Sequence, residues 1–244
     1  MFRKTRFFTL LTCFAFVTLA QAQSVDDIIK KHIKASGGLE KLKSVKSMTI
    51  TGTSSIPAMG VEATFTRKSM RPNLLRLDVD LQGQKMVQAF DGEKAWHIFP
   101  FTGSTATQAM PEAQAKAFRL QTDMDGPLID YKSKGHKVEL VGKEALGERE
   151  AYHLKVTMKS GEDIHIYLDS ESYLQVKATA MTPGPGGNEI KVETMFSDYK
   201  EVDGMMMAHT MTQNNPMQGK VEIKMTSAEI NPKLDTAIFK MPTK

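Results

Sequence analysis

The feature that most constrains this chain is an alternation of apolar and polar residues that begins near Val45 and recurs almost to the C-terminus. The clearest run lies between Leu74 and Leu81, where every second residue is leucine or valine. Side chains two residues apart share one face of a strand, so each run predicts a strand with one apolar face. Short turns such as Asp91-Gly92 and Asp203-Gly204 separate the runs. The pattern predicts about eleven strands in an up-and-down antiparallel order.

Only two segments have a helical pattern. Residues 24–36 begin at Ser24, a favourable N-cap, and residues 111–122 begin at Pro111, which suits a first helical turn. Two short helices cannot cover so large an apolar sheet surface, so the sheet must curl or close. The predicted fold class is therefore mainly β: an open or half β-barrel with the helices lidding its concave face.

A curled sheet with so little helical cover leaves room for an apolar cavity. The chain has 17 methionines, and methionine is frequent on adaptable apolar binding surfaces. The alternative is that methionine simply fills an irregular core, and the residues alone leave both open. If the cavity exists, the expected lining residues are Leu75, Leu77, Met86, Phe90, Trp96, Ile98 and Phe118.

The N-terminal residues predict export from the cytoplasm. A basic start is followed by an apolar run from Phe7 to Leu19 and by Ala20-Gln21-Ala22, which fits a small-x-small cleavage site. The apolar run is short for a membrane span. We therefore expect residues 1–22 to be a cleaved signal peptide and residues 23–244 to form a single domain.

Charge and cysteine content exclude several classes of function. Loss of the basic start lowers Lys+Arg from 32 to 29 against 28 Asp+Glu, so the basic pI is no sign of nucleic-acid binding. The only cysteine, Cys13, lies in the predicted signal peptide. Its alternative use, lipid modification, is disfavoured because Thr12 precedes it. The mature chain is thus expected to lack disulfides, thiolate nucleophiles and cysteine metal ligands.

The sequence offers no recognisable catalytic constellation. Matching apolar faces pairs Val156 with Ile166, which would place His153 and His165 roughly 13 Å apart along neighbouring strands. That separation is too large for a shared metal ion. The chain also lacks the glycine-rich phosphate loop, the dinucleotide fingerprint and the nucleophile elbow. We therefore expect a binding protein rather than an enzyme, with no cofactor and no metal.

Residues 68–101 combine an Arg-Pro pair, an apolar strand, an Asp-Gly turn with tryptophan four residues beyond the glycine, and an aromatic-Pro-aromatic close. These are Arg71-Pro72-Asn73, Leu74 to Val79, Asp91-Gly92, Trp96 and Phe99-Pro100-Phe101. A C-terminal Leu-Asp-x-x-x-Phe-x-x-Pro pattern occupies Leu234 to Pro242. Together these motifs resemble the LolA-like family of outer-membrane lipoprotein-sorting proteins, whose C-terminal pattern has one residue fewer before the phenylalanine. Met70 and Leu74 depart from the carrier's usual basic and aromatic residues.

The resemblance implies a periplasmic carrier or chaperone that binds lipoprotein acyl chains, or other lipids, for transfer toward the outer membrane. It also implies an inner-membrane donor and an outer-membrane acceptor as partners. Arg71 would hydrogen-bond the carbonyl groups of a lid helix and hold the empty cavity shut. The alternative within the same superfamily is a module that senses lipoproteins or takes part in envelope signalling.

Overall fold

The computed structural model describes residues 24–100, 105–184, 188–216 and 219–242. The predicted signal peptide (residues 1–22), Cys13 and Phe101 lie outside the described residues. The described chain has three α-helices: α1 (Val25–Ala35), α2 (Leu39–Ser44) and α3 (Glu112–Arg119). Short 3-10 helices span Pro57–Met59 and Thr236–Phe239.

Both predicted helices are present, and α2 is an additional one. The hydroxyl oxygen of Ser24 caps α1 by accepting a hydrogen bond from the backbone N–H of Asp27, at 3.1 Å. The N-cap of α2 is Gly38, which offers no side-chain capping bond, and the helix has only six residues. Such a helix depends on tertiary contacts, which explains why the sequence pattern does not reveal it.

Thirteen strands form one antiparallel sheet, two more than the alternation predicts. The extra strands include the two-residue β6, which is too short to have a pattern. In chain order the strands are β1 (Ser47–Ile56), β2 (Val61–Met70), β3 (Leu74–Leu81), β4 (Gln84–Phe90), β5 (Ala95–Ile98), β6 (Gln108–Ala109), β7 (Lys137–Leu146), β8 (Arg149–Thr157), β9 (Asp163–Asp169), β10 (Gln175–Pro183), β11 (Glu189–Val202), β12 (Met205–Asn215) and β13 (Gly219–Ile230).

The sheet consists of two meanders that meet at one seam. Strands β1 to β6 run outward in one direction and β13 to β7 in the other, and β1 pairs antiparallel with β13. Within the described residues β6 and β7 do not pair with each other, so the sheet stays open. The predicted mainly β fold with an open, curled sheet is confirmed.

The helices lie on the concave face. Helix α3 contacts both β5 and β10, strands that are far apart in the sheet order, so the sheet must curl around it. Helix α1 buries Ile28 and Ile29 against Leu154 and Ile166, which share the concave face through the strand register. Strands β7 to β9 are therefore covered by α1, and strands near β5 by α3.

The predicted register between β8 and β9 is wrong by two residues. Val156 pairs with Ile164, not with Ile166, and His153 Nε2 lies 2.7 Å from His165 Nδ1. A two-residue shift leaves every side chain on the same face, so the apolar pattern cannot distinguish the two registers. The turn does so: the Met158 N–H donates to the Glu162 carbonyl, which fixes a short connection.

The two histidines thus form a hydrogen-bonded pair on the convex face. His153 is also bonded through Nδ1 to Glu144 Oε1 at 2.5 Å and stacks on Tyr167. Across the described ranges, no group of three or more His, Cys, Asp or Glu side chains is arranged to hold a metal ion. The His153–His165 hydrogen bond is a polar contact between strands β8 and β9.

The seam between the two meanders requires a residue without a side chain. The β1–β13 register shifts between Thr51 and Gly52, and a Cβ atom on Gly52 would lie 2.2 Å from the Lys224 carbonyl oxygen. The Phe65 ring would lie 2.7 Å away. Glycine at this position lets the backbones approach closely at a bulge, as strand glycines often do.

We predict that Gly52→Ala lowers the free energy of unfolding by about 3 kcal/mol, because a backbone carbonyl cannot move aside as a side chain can. Thr53→Ala on the same strand is the control and should cost about 1 kcal/mol or less. Urea unfolding followed by circular dichroism measures both. Equal losses in the two variants would contradict the close approach at the seam.

Candidate functional site

A cavity of about 670 Å³ lies on the concave face. One wall comes from β1 to β4 and the other from β11 to β13, so the cavity spans the seam between the meanders. Its volume falls within the range of roughly 300–1,000 Å³ that is usual for small-molecule sites. The space lies between β5 and β10, the two strands that α3 contacts on either side of the seam.

The cavity walls are mainly apolar and adaptable. Methionine is the most frequent lining residue, and unbranched thioether side chains reshape easily around different apolar ligands. Phe65 and Phe196 add aromatic surface from opposite walls. The lining methionines are Met86, Met206, Met207, Met211 and Met225. A surface of this kind suits flexible hydrocarbon chains rather than a rigid polar ligand.

Leu77 and Met86 are the two predicted lining residues that the structure places in the cavity wall. Leu75, Phe90 and Phe118 instead pack together under α3 in a closed cluster, each at most 5% exposed. They pack α3 onto the sheet, and they do not line the space itself. The prediction grouped them with the cavity because all three lie on the concave face.

Trp96 and Ile98 lie on the opposite, convex face, contrary to the predicted cavity lining. Trp96 pairs with Ala89 and Ile98 with Val87, whereas Met86 and Phe90 have the opposite orientation in β4. The Trp96 indole N–H donates to the Phe239 carbonyl at 2.8 Å. The tryptophan thus holds the C-terminal 3-10 helix against the convex face of the sheet. This contact links Trp96, in the first of the two family-like motifs, to Phe239, in the C-terminal one.

The turn between β4 and β5 explains this orientation. The Asp91 carboxylate accepts hydrogen bonds from the backbone N–H groups of Glu93 and Lys94, at 2.9 and 2.7 Å. This local turn makes Phe90 pair with Ala95. Ala95 therefore lies on the concave face, and the adjacent Trp96 lies on the convex face. The size of the two residues alone does not predict this orientation.

Arg71 connects three segments at one edge of the cavity region. Its Nε donates to the Val45 carbonyl at 2.6 Å, and its Nη2 donates to the Leu42 carbonyl at 3.2 Å. Both carbonyls belong to the C-terminal end of α2, where helices leave backbone acceptors unpaired. The other guanidinium contacts are with Asp125, at 3.0 Å from Nη1 and 2.5 Å from Nη2. The arginine predicted as the lid residue thus bonds helix carbonyls, and it also has an acidic partner.

Asp125 is the electrostatic centre of this network. Burial by itself raises the pKa of Asp125, but hydrogen bonds from Arg71 and from Lys43 outweigh it and lower that pKa to about 2. The Lys43 Nζ lies 2.6 Å from the carboxylate, whose side chain is only 7% exposed. The segment after α3 is therefore joined to α2 and to the end of β2 through one carboxylate.

Arg67 is a charged cavity-lining residue that the sequence-based prediction missed. It lies on β2 opposite Leu77, lines the cavity, and donates from Nη2 to the Gln121 carbonyl at 2.8 Å. Burial lowers the pKa of the Arg67 guanidinium. The signal was present: Val61, Ala63 and Phe65 alternate on the apolar face, and Arg67 falls on the next position of the same series.

We predict that Asp125 contributes to acid sensitivity. Its pKa is depressed in the folded state, so its contribution is complete above about pH 4 and is lost as pH falls toward about 2. The loss should amount to about 2 kcal/mol of unfolding free energy. Asp125→Asn should remove this part of the pH dependence, as measured by urea unfolding between pH 2 and 5.

Asp203→Asn is the control for this measurement. The Asp203 side chain, which pairs with Lys41, is 56% exposed, so this ion pair should contribute little to stability. An unchanged acid profile in Asp125→Asn would contradict the role assigned to the Arg71–Asp125 contact.

No family model and no curated protein matches the chain. Solved structures do match its fold. A domain assigned to the outer membrane lipoprotein-sorting proteins, from Vibrio parahaemolyticus, has a TM-score of 0.58 at 13% identity, over 87% of this chain and 94% of that one. A LolA superfamily protein from Nitrosomonas europaea has a TM-score of 0.61 at 11% identity, over 90% of this chain and 98% of that one.

A DUF1329 family protein from Desulfovibrio piger also matches, with a TM-score of 0.60 at 12% identity, over 90% of this chain and 98% of that one. Identities this low establish the fold alone. No helix within the described ranges is long and apolar enough to cross a membrane. The three structural matches show that the chain has the LolA-like fold that its motifs predict.

Proposed function

We propose that the protein is a periplasmic carrier that holds the acyl chains of lipoproteins, or of other lipids, in the concave cavity during transfer toward the outer membrane. The observation that carries the proposal is the 670 Å³ methionine-lined cavity in a sheet whose concave face has too little helical cover. The LolA-like fold supports it, because a solved structure of this fold belongs to the lipoprotein-sorting proteins.

The proposed mechanism is differential burial rather than chemistry. Each methylene group that moves from water into an apolar site contributes about 0.8 kcal/mol. A few acyl chains would therefore bind firmly without any charged contact. The flexible methionine walls would adjust to chains that differ in length or branching, as a carrier of several lipids requires.

The signal peptide completes the proposal. Cleavage after residue 22 would release a single domain, residues 23–244, into the periplasm. There, an inner-membrane donor and an outer-membrane acceptor would be its partners. The proposed role of Arg71 is to hold α2 and the segment around Asp125 in place while the cavity is empty. Loading would then require these contacts to loosen.

The first test is extraction of the purified protein with organic solvent, followed by mass spectrometry. We expect co-purified lipid, or uptake of a fluorescent fatty acid by lipid-free protein. The absence of both would contradict the carrier function.

A second test localises the ligand. Phe196→Trp introduces a tryptophan into the cavity wall, and bromine on an acyl chain quenches tryptophan emission only at short range. We predict that a brominated fatty acid quenches the introduced tryptophan, while the native Trp96, on the convex face, keeps its emission in the unmodified protein. Quenching of Trp96 alone would place the ligand on the wrong face.

A further inference from the structure

Arg67 interrupts an otherwise uncharged cavity wall. It occupies the concave face of β2, two residues beyond Phe65 and opposite Leu77. Among the described residues that line the cavity, it is the only one with a formal charge. The remaining polar groups are neutral, such as the side chains of Gln175 and Gln213. Any ligand that fills the cavity must therefore lie beside a guanidinium.

The guanidinium has far more hydrogen-bond donors than protein acceptors. It carries five N–H groups, and one hydrogen bond, to the Gln121 carbonyl, is present in the described part of the chain. Arg71 and Arg76 are different, because they pair with the carboxylates of Asp125 and Asp78. No described carboxylate forms an ion pair with Arg67.

A partly buried cation without a counter-ion is unfavourable, because it loses some of the water that would otherwise solvate its charge. Arg67 is partly buried in the cavity wall, and this burial lowers the pKa of its guanidinium. Arginine nevertheless stays protonated, so the positive charge remains. A sequence that only needed to fill this wall would place leucine or methionine here, as it does at Leu77 and Met86.

We propose that Arg67 binds the anionic head group of an amphiphilic ligand whose hydrocarbon tail lies against the methionine wall. The ligand class is a long-chain acid: a fatty acid carboxylate or a lipid phosphate. Both anions match the planar fork of the guanidinium and accept two parallel hydrogen bonds from it. This inference rests on the proposed lipid-carrier function and names the ligand's chemical class.

The geometry also gives the ligand a direction. Gln121 follows α3, so the Arg67 end of the cavity lies beside the segment that leaves α3. The tail would extend from there past Phe65 toward Met211 and Ile223 on the far wall. Because only one guanidinium donor is used by Gln121, the anion can bind without releasing that contact.

The test compares ligands that share one tail and differ in charge. Hexadecanoate, hexadecyl phosphate and neutral hexadecanol each displace a neutral fluorescent dye, N-phenyl-1-naphthylamine, from the unmodified, lipid-free protein. A charge-assisted hydrogen bond should make at least one anion bind about tenfold more tightly than the alcohol. The stronger of the two anions identifies the head group as a carboxylate or a phosphate.

The variants separate charge from packing. We expect Arg67→Met to lose the preference for anions while it retains hexadecanol binding, and Arg67→Lys to keep part of the preference. Lys68→Met is the matched control, because it removes a cation one residue away on the convex face, where Lys68 pairs with Asp78. That variant should bind all three ligands as the unmodified protein does.

Two results would overturn the proposal. If the unmodified protein binds hexadecanol as tightly as both anions, Arg67 does not recognise a head group, although the carrier function stands. The same conclusion follows if Arg67→Met keeps its preference for anions. If the protein binds neither the dye nor any of the three ligands, the carrier function itself fails, and this inference fails with it. The comparison in the unmodified protein needs no variant to fold.

Discussion

The whole structure depends on a mismatch between a large one-sided sheet and a small amount of helix. Thirteen strands present a large, mainly apolar concave face, and three short helices cannot cover it. The sheet responds by curling until α3 spans from β5 to β10. Curling brings the two walls near each other and leaves a cavity at the seam between the meanders. The cavity is therefore a consequence of element composition, and the methionines that line it are suited to surfaces whose occupant varies.

The sequence predicts the class of fold well because alternation is a local signal. Each strand has its own period of two, and the shortage of helix can be read directly from the residues. The prediction fails where register and turn geometry decide the outcome. The β8–β9 shift leaves faces unchanged, so His153 and His165 meet although the apolar pattern placed them apart. The placement of Trp96 fails for a related reason, since the Asp91 turn fixes which face it takes.

The candidate site is harder to predict than the fold because it is made of residues distant in the sequence. One wall comes from the first meander, around Phe65 and Met86, and the other from the last three strands, around Met211 and Ile223. The predicted lining residues came from one stretch of the chain, so they describe one wall and the support of α3. The opposite wall becomes visible only when the pairing of β1 with β13 brings the two ends of the domain together.

Two arginines four residues apart have contrasting environments. Arg71 is neutralised by Asp125 and bonded to the carbonyls of α2, so its charge is fully used in holding segments together. Arg67 has one carbonyl acceptor and faces the cavity. An Arg-Pro pair draws attention in the sequence, whereas Arg67 looks like the ordinary end of an alternating run. Yet a paired cation offers nothing to a ligand, and an unpaired one constrains which ligands can enter. We therefore expect selectivity in this cavity to depend on Arg67, and we expect Arg71 to stabilise the segments around it.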